Sequence, residues 1–156
     1  MRVNSISLFK QGIKPAWEDE VNEKGGDFHF RFSDMTMDIR ELWEKMIAEI
    51  ICESYPCLDE ITGIRAIDKT KNGKLTYKLE FWTKFNEESC AAGQELRKFI
   101  IDKFINKDPS GKPDQDLIFT THSQSFKTHE FKKQQSIKIE QQQKEGAPSD
   151  QAKLAK

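Results

Sequence analysis

A tryptophan followed by two carboxylates, Trp17-Glu18-Asp19, lies in the middle of a segment rich in turn-forming residues. This segment, residues 8–28, has the sequence LFKQGIKPAWEDEVNEKGGDF, and its glycines and proline predict a long loop. Long loops in compact domains are often functional. A large indole beside carboxylates suits a flat ligand that is cationic on its face and carries hydrogen-bond donors on its edge.

N7-methylguanine is a ligand of this kind. Methylation puts a delocalised positive charge on the ring, so a stacked tryptophan gains a cation–π energy of about 0.5 to 2 kcal/mol. One carboxylate can accept hydrogen bonds from both the N1–H and the N2 amino group, a donor pair that adenine lacks. A structural explanation also stays open, because Trp17 could pack as a plug over a hydrophobic core.

The stretch FKQGIKPAWEDEVNEKGG resembles the segment F-K-x-G-I-x-P-x-W-E-D-x-x-N-x-x-G-G of the eukaryotic translation initiation factor 4E family. The resemblance continues at Leu42-Trp43, Ile61-Thr62-Gly63, Phe81-Trp82-Thr83 and Thr120-Thr121-His122. It implies binding of the mRNA 5′ cap, 7-methylguanosine, in translation initiation. By this resemblance Trp17 stacks on the base, Glu18 recognises the guanine edge and Trp82 lies near the methyl group.

The same resemblance implies that three lysines, Lys69, Lys71 and Lys127, contact the cap phosphates. Exposed lysines are usually solvated surface, and that interpretation stays open. The hairpin that follows Lys71 is longer than expected of the family, so which lysine reaches a phosphate is also open. Asp27 stands where the family typically has a basic residue, and its charge should lower phosphate affinity.

The family's domain normally begins with further strands, a first helix and a second stacking tryptophan ahead of Leu8. We therefore expect residues 1–131 to form a partial cap-binding domain, either truly truncated or the product of an incomplete gene. Binding to the scaffold factor 4G or to 4E-binding proteins should be weakened by Glu44, Lys45 and the missing helix. The alternative function is a truncated or 4E-homologous regulator or repressor of translation with weak or no cap binding, and His122-to-Lys127 spacing favours that subclass.

Periodicity predicts the elements that position these residues. Apolar residues at helical spacing predict helices over 38–55 and 88–106, and alternation predicts strands over 27–32, 61–69, 74–83 and 116–122. Asn72-Gly73 predicts a hairpin, with Trp82 on the polar face of its second strand. We expect an α+β fold: a curved antiparallel sheet with helices packed on one face and the cap site on the open face. A polar tail, residues 132–156, should be disordered.

Composition excludes several classes of function. Lys and Arg total 25 against 26 for Asp and Glu, which gives no general electrostatic grip on nucleic acid. No apolar run approaches the roughly 18 residues that a membrane span needs. The cysteines, Cys52, Cys57 and Cys90, lack zinc-site spacing and suit reduced thiols in a cytoplasmic protein. The histidines form no nucleophile motif, so we predict neither an enzyme nor a cofactor or metal site.

Overall fold

A five-stranded antiparallel sheet forms the centre of the molecule. The computed structural model describes residues 4–33, 38–105, 115–131 and 134 of the chain. The strands are β1 (Ser5–Phe9), β2 (Gly26–Phe32), β3 (Ile61–Asp68), β4 (Tyr77–Thr83) and β5 (Ile118–Thr121), in the order β1-β3-β4-β2-β5. The helices are α1 (Ile39–Ile51), α2 (Ala91–Phe104) and α3 (residues 122–131), with a short 3-10 helix at Leu58–Glu60.

The core lies between one face of the sheet and helices α1 and α2. Alternation along β2 sends Phe28, Phe30 and Phe32 into this core, as predicted. Strand β4 adds Leu79 and Phe81, and the helices contribute Leu42, Met46, Leu96, Ile100 and Phe104. The predicted α+β architecture is therefore confirmed. We call the sheet face opposite these helices the open face.

Both predicted helices form, although each is shorter than its pattern suggested. The Asp38 side chain caps α1 by accepting a hydrogen bond of 2.8 Å from the backbone N–H of Arg40. Helix α1 ends at Ile51, and Glu53 then takes a positive φ of 53°, so the chain turns before Pro56. The Cys90 thiol caps α2, accepting from the backbone N–H of Gly93 at 3.2 Å.

The β3–β4 hairpin confirms the turn prediction. Asn72 and Gly73 both have positive φ, 52° and 77°, which is the backbone that a two-residue hairpin turn of the primed type requires. Lys71 and Lys74 pair across this turn, and the strands pair from Asp68 and Tyr77 onward. The lysines around the turn are thus held at one end of the sheet.

Two elements were not predicted. Strand β1 pairs with β3 along an edge of the sheet, with Leu8 opposite Ile64. Helix α3 replaces the loop that was expected after His122, which is the first helical residue rather than the end of a strand. Residues 132–156, predicted to be disordered, lie outside the described residues except for residue 134. In the described part of the chain no helix is long and apolar enough to cross a membrane.

Candidate functional site

The loop between β1 and β2 is held in shape by two of its own side chains. The Asp19 carboxylate accepts from the backbone N–H of Lys14 at 3.0 Å and of Val21 at 3.1 Å. Asn22 is fully buried, and its amide nitrogen donates to the carbonyl oxygens of Lys14 at 2.9 Å and Ala16 at 3.1 Å. Both residues therefore fix the backbone on either side of Trp17.

Two glycines let the loop enter the sheet. A Cβ atom on Gly25 would lie 1.9 Å from the carbonyl oxygen of Thr83, and one on Gly26 would lie 2.4 Å from the Phe119 ring. The start of β2 is thus wedged between β4 and β5, where no other residue type has room. Asp19, Asn22 and the glycines each have a structural task in the motif.

A hydrogen bond fastens this loop to the beginning of α3. Nδ1 of the buried His122 lies 2.6 Å from the carbonyl oxygen of Asn22, and the His122 backbone N–H donates to the Gly25 carbonyl at 2.9 Å. Because a carbonyl can only accept, Nδ1 carries the proton. The Nε2 atom is buried without a hydrogen bond and lies 3.8 Å from Oδ1 of Asp27.

The environment of His122 disfavours its charged form. Burial lowers the pKa of His122, while the hydrogen bond to Asn22 and the charges of Asp27 and Glu80 act in the opposite direction. The net shift is downward from the ordinary value of 6.5. His122 is therefore a neutral part of the wall at neutral pH.

A cavity of about 550 Å³ opens where β2 begins and where β4 and β5 end. This volume is in the range of small-molecule sites. The rings of Trp17 and Phe126 face it together with carboxylates and ammonium groups. Its lining residues are Trp17, Glu18, Glu23, Lys24, Gly25, Asn86, Thr121, His122, Ser123, Phe126 and Lys127.

Three residues predicted from the sequence meet in this cavity: Trp17, Glu18 and Lys127. Trp17 is half-buried and lies outside the hydrophobic core cluster, and its ring contacts the edge of His129 with centroids 5.6 Å apart. Glu18 is exposed, and its carboxylate has no hydrogen bond to the described residues. An indole and a free carboxylate therefore stand side by side at the wall of a cavity.

Trp82 is not among the residues that line the cavity. It lies on the open face, as alternation predicted, but is only 1% exposed. Its indole Nε1–H donates to Oε2 of Glu80 at 2.9 Å, and its ring packs against Phe9 at 5.3 Å and His122 at 4.4 Å. The proposed contact of Trp82 with a methyl group stays a prediction, and in this arrangement other rings cover the indole.

Lys69 and Lys71 lie at the hairpin, away from the lining residues of the cavity. Partial desolvation and the nearby charges of Lys78, Arg31 and Arg65 lower the pKa of Lys69, against the attraction of Glu80. Arg31 and Lys78 are directly opposite each other on β2 and β4. Lys78 lies along β4 at about 13 Å from Trp82, taking about 3.3 Å per residue.

This basic cluster, comprising Arg31, Arg65, Lys69 and Lys78, was only partly found from the sequence. Like charges placed opposite each other in a sheet are unfavourable. Within the cluster, Glu80 compensates Lys78 through an ion pair of 2.7 Å. Alternation already placed Arg31 on the open face, but only the register of β2 with β4 sets it beside Lys78. In the described residues no group of three or more His, Cys, Asp or Glu side chains could hold a metal ion.

The fold and the cavity define an α+β protein with a nucleotide-sized site at the end of its sheet. The family model "Eukaryotic initiation factor 4E" matches residues 1–137. The chain belongs to the eukaryotic initiation factor 4E family.

Curated relatives agree with this assignment. The chain is 36% identical over 98 residues to eukaryotic translation initiation factor 4E of Candida albicans, and 32% identical over 110 residues to that of Dictyostelium discoideum. These alignments cover 60% and 68% of this chain, but 46% and 42% of the relatives. The chain thus spans less than half the length of these two proteins.

Solved structures share the fold. C. elegans eIF4E-3 in complex with the 4E-binding protein Mextli and cap analog superposes with a TM-score of 0.62 at 21% identity, covering 80% of this chain and 66% of that one. Ascaris suum eIF4E-3 with m2,2,7G cap gives a TM-score of 0.55 at 24% identity, covering 64% of this chain and 54% of that one. At these identities the likeness concerns the fold.

Proposed function

We propose that this protein binds the 7-methylguanosine cap at the 5′ end of mRNA and acts in translation initiation. One observation carries the proposal: Trp17 and Glu18 line the same cavity, and the other residues of their motif are occupied with holding the loop. The relatives bear the name of the cap-binding initiation factor, and the two solved structures contain a cap or a cap analog. The proposal therefore joins a local geometry to a family.

The cavity offers the two interactions that distinguish a methylated guanine. The Trp17 face can stack on the cationic ring, and base–aromatic stacking contributes about 1 to 3 kcal/mol per base. The Glu18 carboxylate has no hydrogen bond to the described residues, so it can accept from the N1–H and N2 amino groups together. Guanine without the methyl group would keep the edge bonds and lose the cation–π energy.

Phosphate groups would extend from the base towards positive charge. Lys127 lines the cavity itself, whereas Lys69 and Lys71 stand at the hairpin beside Arg31 and Lys78. Asp27, expected to repel phosphates, is 3% exposed and bonded to His29 Nδ1 at 2.7 Å. Its charge is thus turned into the protein, which reduces the expected repulsion.

The partners that follow are capped mRNA and, more weakly, the scaffold factor 4G or 4E-binding proteins. Glu44 and Lys45 are exposed on α1, and the Lys45 ammonium donates to the carbonyl oxygen of Lys103 at 2.7 Å. A partner helix on this surface would have to pack over charged side chains. We infer a binding protein of the cytoplasm and not an enzyme.

One observation favours the alternative, a regulator with weak or no cap binding. Trp82 is covered by Phe9 and His122, and the edge of His129 rests on Trp17. Both indoles would then offer less surface to a base than an open clamp. Under this alternative the protein influences translation through protein contacts.

Affinity chromatography on immobilised 7-methylguanosine triphosphate tests the proposal. The wild-type protein should be retained on this resin and not on unmethylated guanosine triphosphate resin. Trp17→Ala should abolish retention, while Trp43→Phe, a conservative change at another partly exposed tryptophan, should not. Equal retention on both resins would refute methyl-specific recognition, and retention on neither would favour the regulator.

A further inference from the structure

Phe126 is the second aromatic side chain of the cavity, and the core does not account for it. It is 41% exposed, does not belong to the hydrophobic core cluster, and lines the cavity with Trp17. A phenyl ring left this exposed forgoes part of the free energy that burial would give. A ligand between Phe126 and Trp17 would recover it.

Helix α3 sets where Phe126 points. Residues three apart lie on the same side of a helix, so Phe126 shares a side with His129, whose ring contacts Trp17. Phe131, five residues after Phe126, is rotated by about 140° at about 100° per residue and does not line the cavity. It is 61% exposed. The helix therefore presents one of its two phenylalanines to the cavity.

The two rings leave a gap between them. Within the described residues the ring contact of Trp17 is with His129, and Phe126 faces the same cavity without touching the indole. A flat base between two rings needs a spacing of about 7 Å, which is two van der Waals contacts of about 3.5 Å. Rings already in contact would have no room for a base.

We propose that Phe126 is the second half of an aromatic clamp, closing on a purine base from the side opposite Trp17. This inference rests on the proposed function, since the base is that of the methylated guanosine nucleotide. The clamp compensates for the second stacking tryptophan that the sequence does not show. Phe126 acts by stacking, so a ring is required at this position and an apolar side chain of similar size does not suffice.

Binding of 7-methylguanosine triphosphate, measured by isothermal titration calorimetry, tests the clamp. Phe126→Ala should weaken binding about fivefold to a hundredfold, the range for one base stacked on one ring. Phe126→Leu should lose most of the same affinity, and Phe126→Tyr should retain it. Phe131→Ala is the matched control on the same helix and should bind as the wild type does. Circular dichroism on each variant checks that α3 is intact.

The outcomes separate the clamp from the proposed function. A wild-type protein that does not bind the nucleotide would overturn both. A wild-type protein that binds, with Phe126→Ala equal to Phe131→Ala, would overturn the clamp alone. Full affinity in Phe126→Leu would also overturn it, because an apolar cover would then be sufficient.

Discussion

The imidazole Nδ1 of His122 lies 2.6 Å from the backbone carbonyl oxygen of Asn22, a residue one hundred positions earlier in the chain. This bond joins the loop that carries Trp17 to the helix that carries Phe126 and Lys127. Asn22 in turn holds the carbonyl groups of Lys14 and Ala16 through its side chain. The two walls of the cavity are therefore connected through one buried pair.

Replacing Asn22 by Asp should loosen the loop. The carboxylate has the same shape, but it cannot donate to the carbonyl oxygens of Lys14 and Ala16 and would face them with like charge. Loss of buried hydrogen bonds of this type costs about 1 to 3 kcal/mol of unfolding free energy. Urea unfolding would measure the cost, and hydrogen exchange should be faster across residues 14–24 than elsewhere.

Thr62→Val is the matched control for that variant. Thr62 is also fully buried, and its hydroxyl has no hydrogen-bond partner in the structure as described. Replacing this hydroxyl by a methyl group should leave stability unchanged or slightly higher. If Asn22→Asp were as stable as Thr62→Val, the account of the loop would be wrong.

Stability should fall as the pH is lowered through the range where His122 titrates. Burial lowers the pKa of His122 in the folded protein below its ordinary value of 6.5, so the unfolded chain takes up the proton first. The contribution of neutral His122 is fully present above 6.5 and is lost as the pH falls towards the folded pKa. Urea unfolding at pH values of about 7.5, 6.5 and 5.5 measures this slope.

His122→Asn isolates the His122 contribution. The amide nitrogen of Asn is as many bonds from Cα as Nδ1, so the bond to Asn22 can persist without a titrating group. The variant should show a shallower loss of stability between these pH values. Identical slopes for the two proteins would show that another group causes the dependence.

Glu18→Gln should weaken binding of 7-methylguanosine triphosphate about tenfold or more, because charge-assisted hydrogen bonds contribute about 1.5 to 3 kcal/mol. Glu23→Gln removes another carboxylate of the same cavity and should change affinity little. Discrimination between guanine and adenine nucleotides should also fall in the Glu18 variant alone. Calorimetry with both nucleotides would reveal it, and equal effects of the two substitutions would indicate a general charge effect.

Lys69→Ala should weaken binding of the triphosphate up to about fivefold, the scale of an exposed ion pair, and leave binding of the methylated nucleoside unchanged. Lys98 on α2 is the control, since it lies on the helical side of the molecule and pairs with Asp102 at 2.8 Å. Comparing the two ligands at low and high salt measures the phosphate contribution. No difference between Lys69→Ala and Lys98→Ala would remove Lys69 from the site.

Local patterns predicted most of the sheet. Phe28, Phe30 and Phe32 alternate with polar residues, and Asn72-Gly73 supplies the positive φ angles of a hairpin, so both features follow from short stretches of sequence. Strand β1 escaped prediction because its five residues adjoin a segment rich in glycine and proline. Its stability comes from pairing with β3, a contact that is distant in sequence.

The candidate site was predictable only where a single motif contains it. Trp17 and Glu18 follow from one loop, whereas the burial of Trp82 depends on Phe9 and His122, which are far from it in the chain. Phe126 reaches the cavity because residues 122–131 are helical, and that stretch has no continuous apolar stripe to indicate a helix. Tertiary contacts decided these positions.

The central claim is that the Trp17 indole stacks on the methylated base. The chain has three tryptophans, so the indole Nε1–H resonances in a nitrogen-15 NMR spectrum can be assigned with Trp17→Phe and Trp43→Phe variants. Titration with 7-methylguanosine triphosphate should shift the Trp17 resonance strongly, with a weaker response to guanosine triphosphate and none from Trp43. A Trp17 resonance that does not move while the nucleotide saturates the protein would contradict the account.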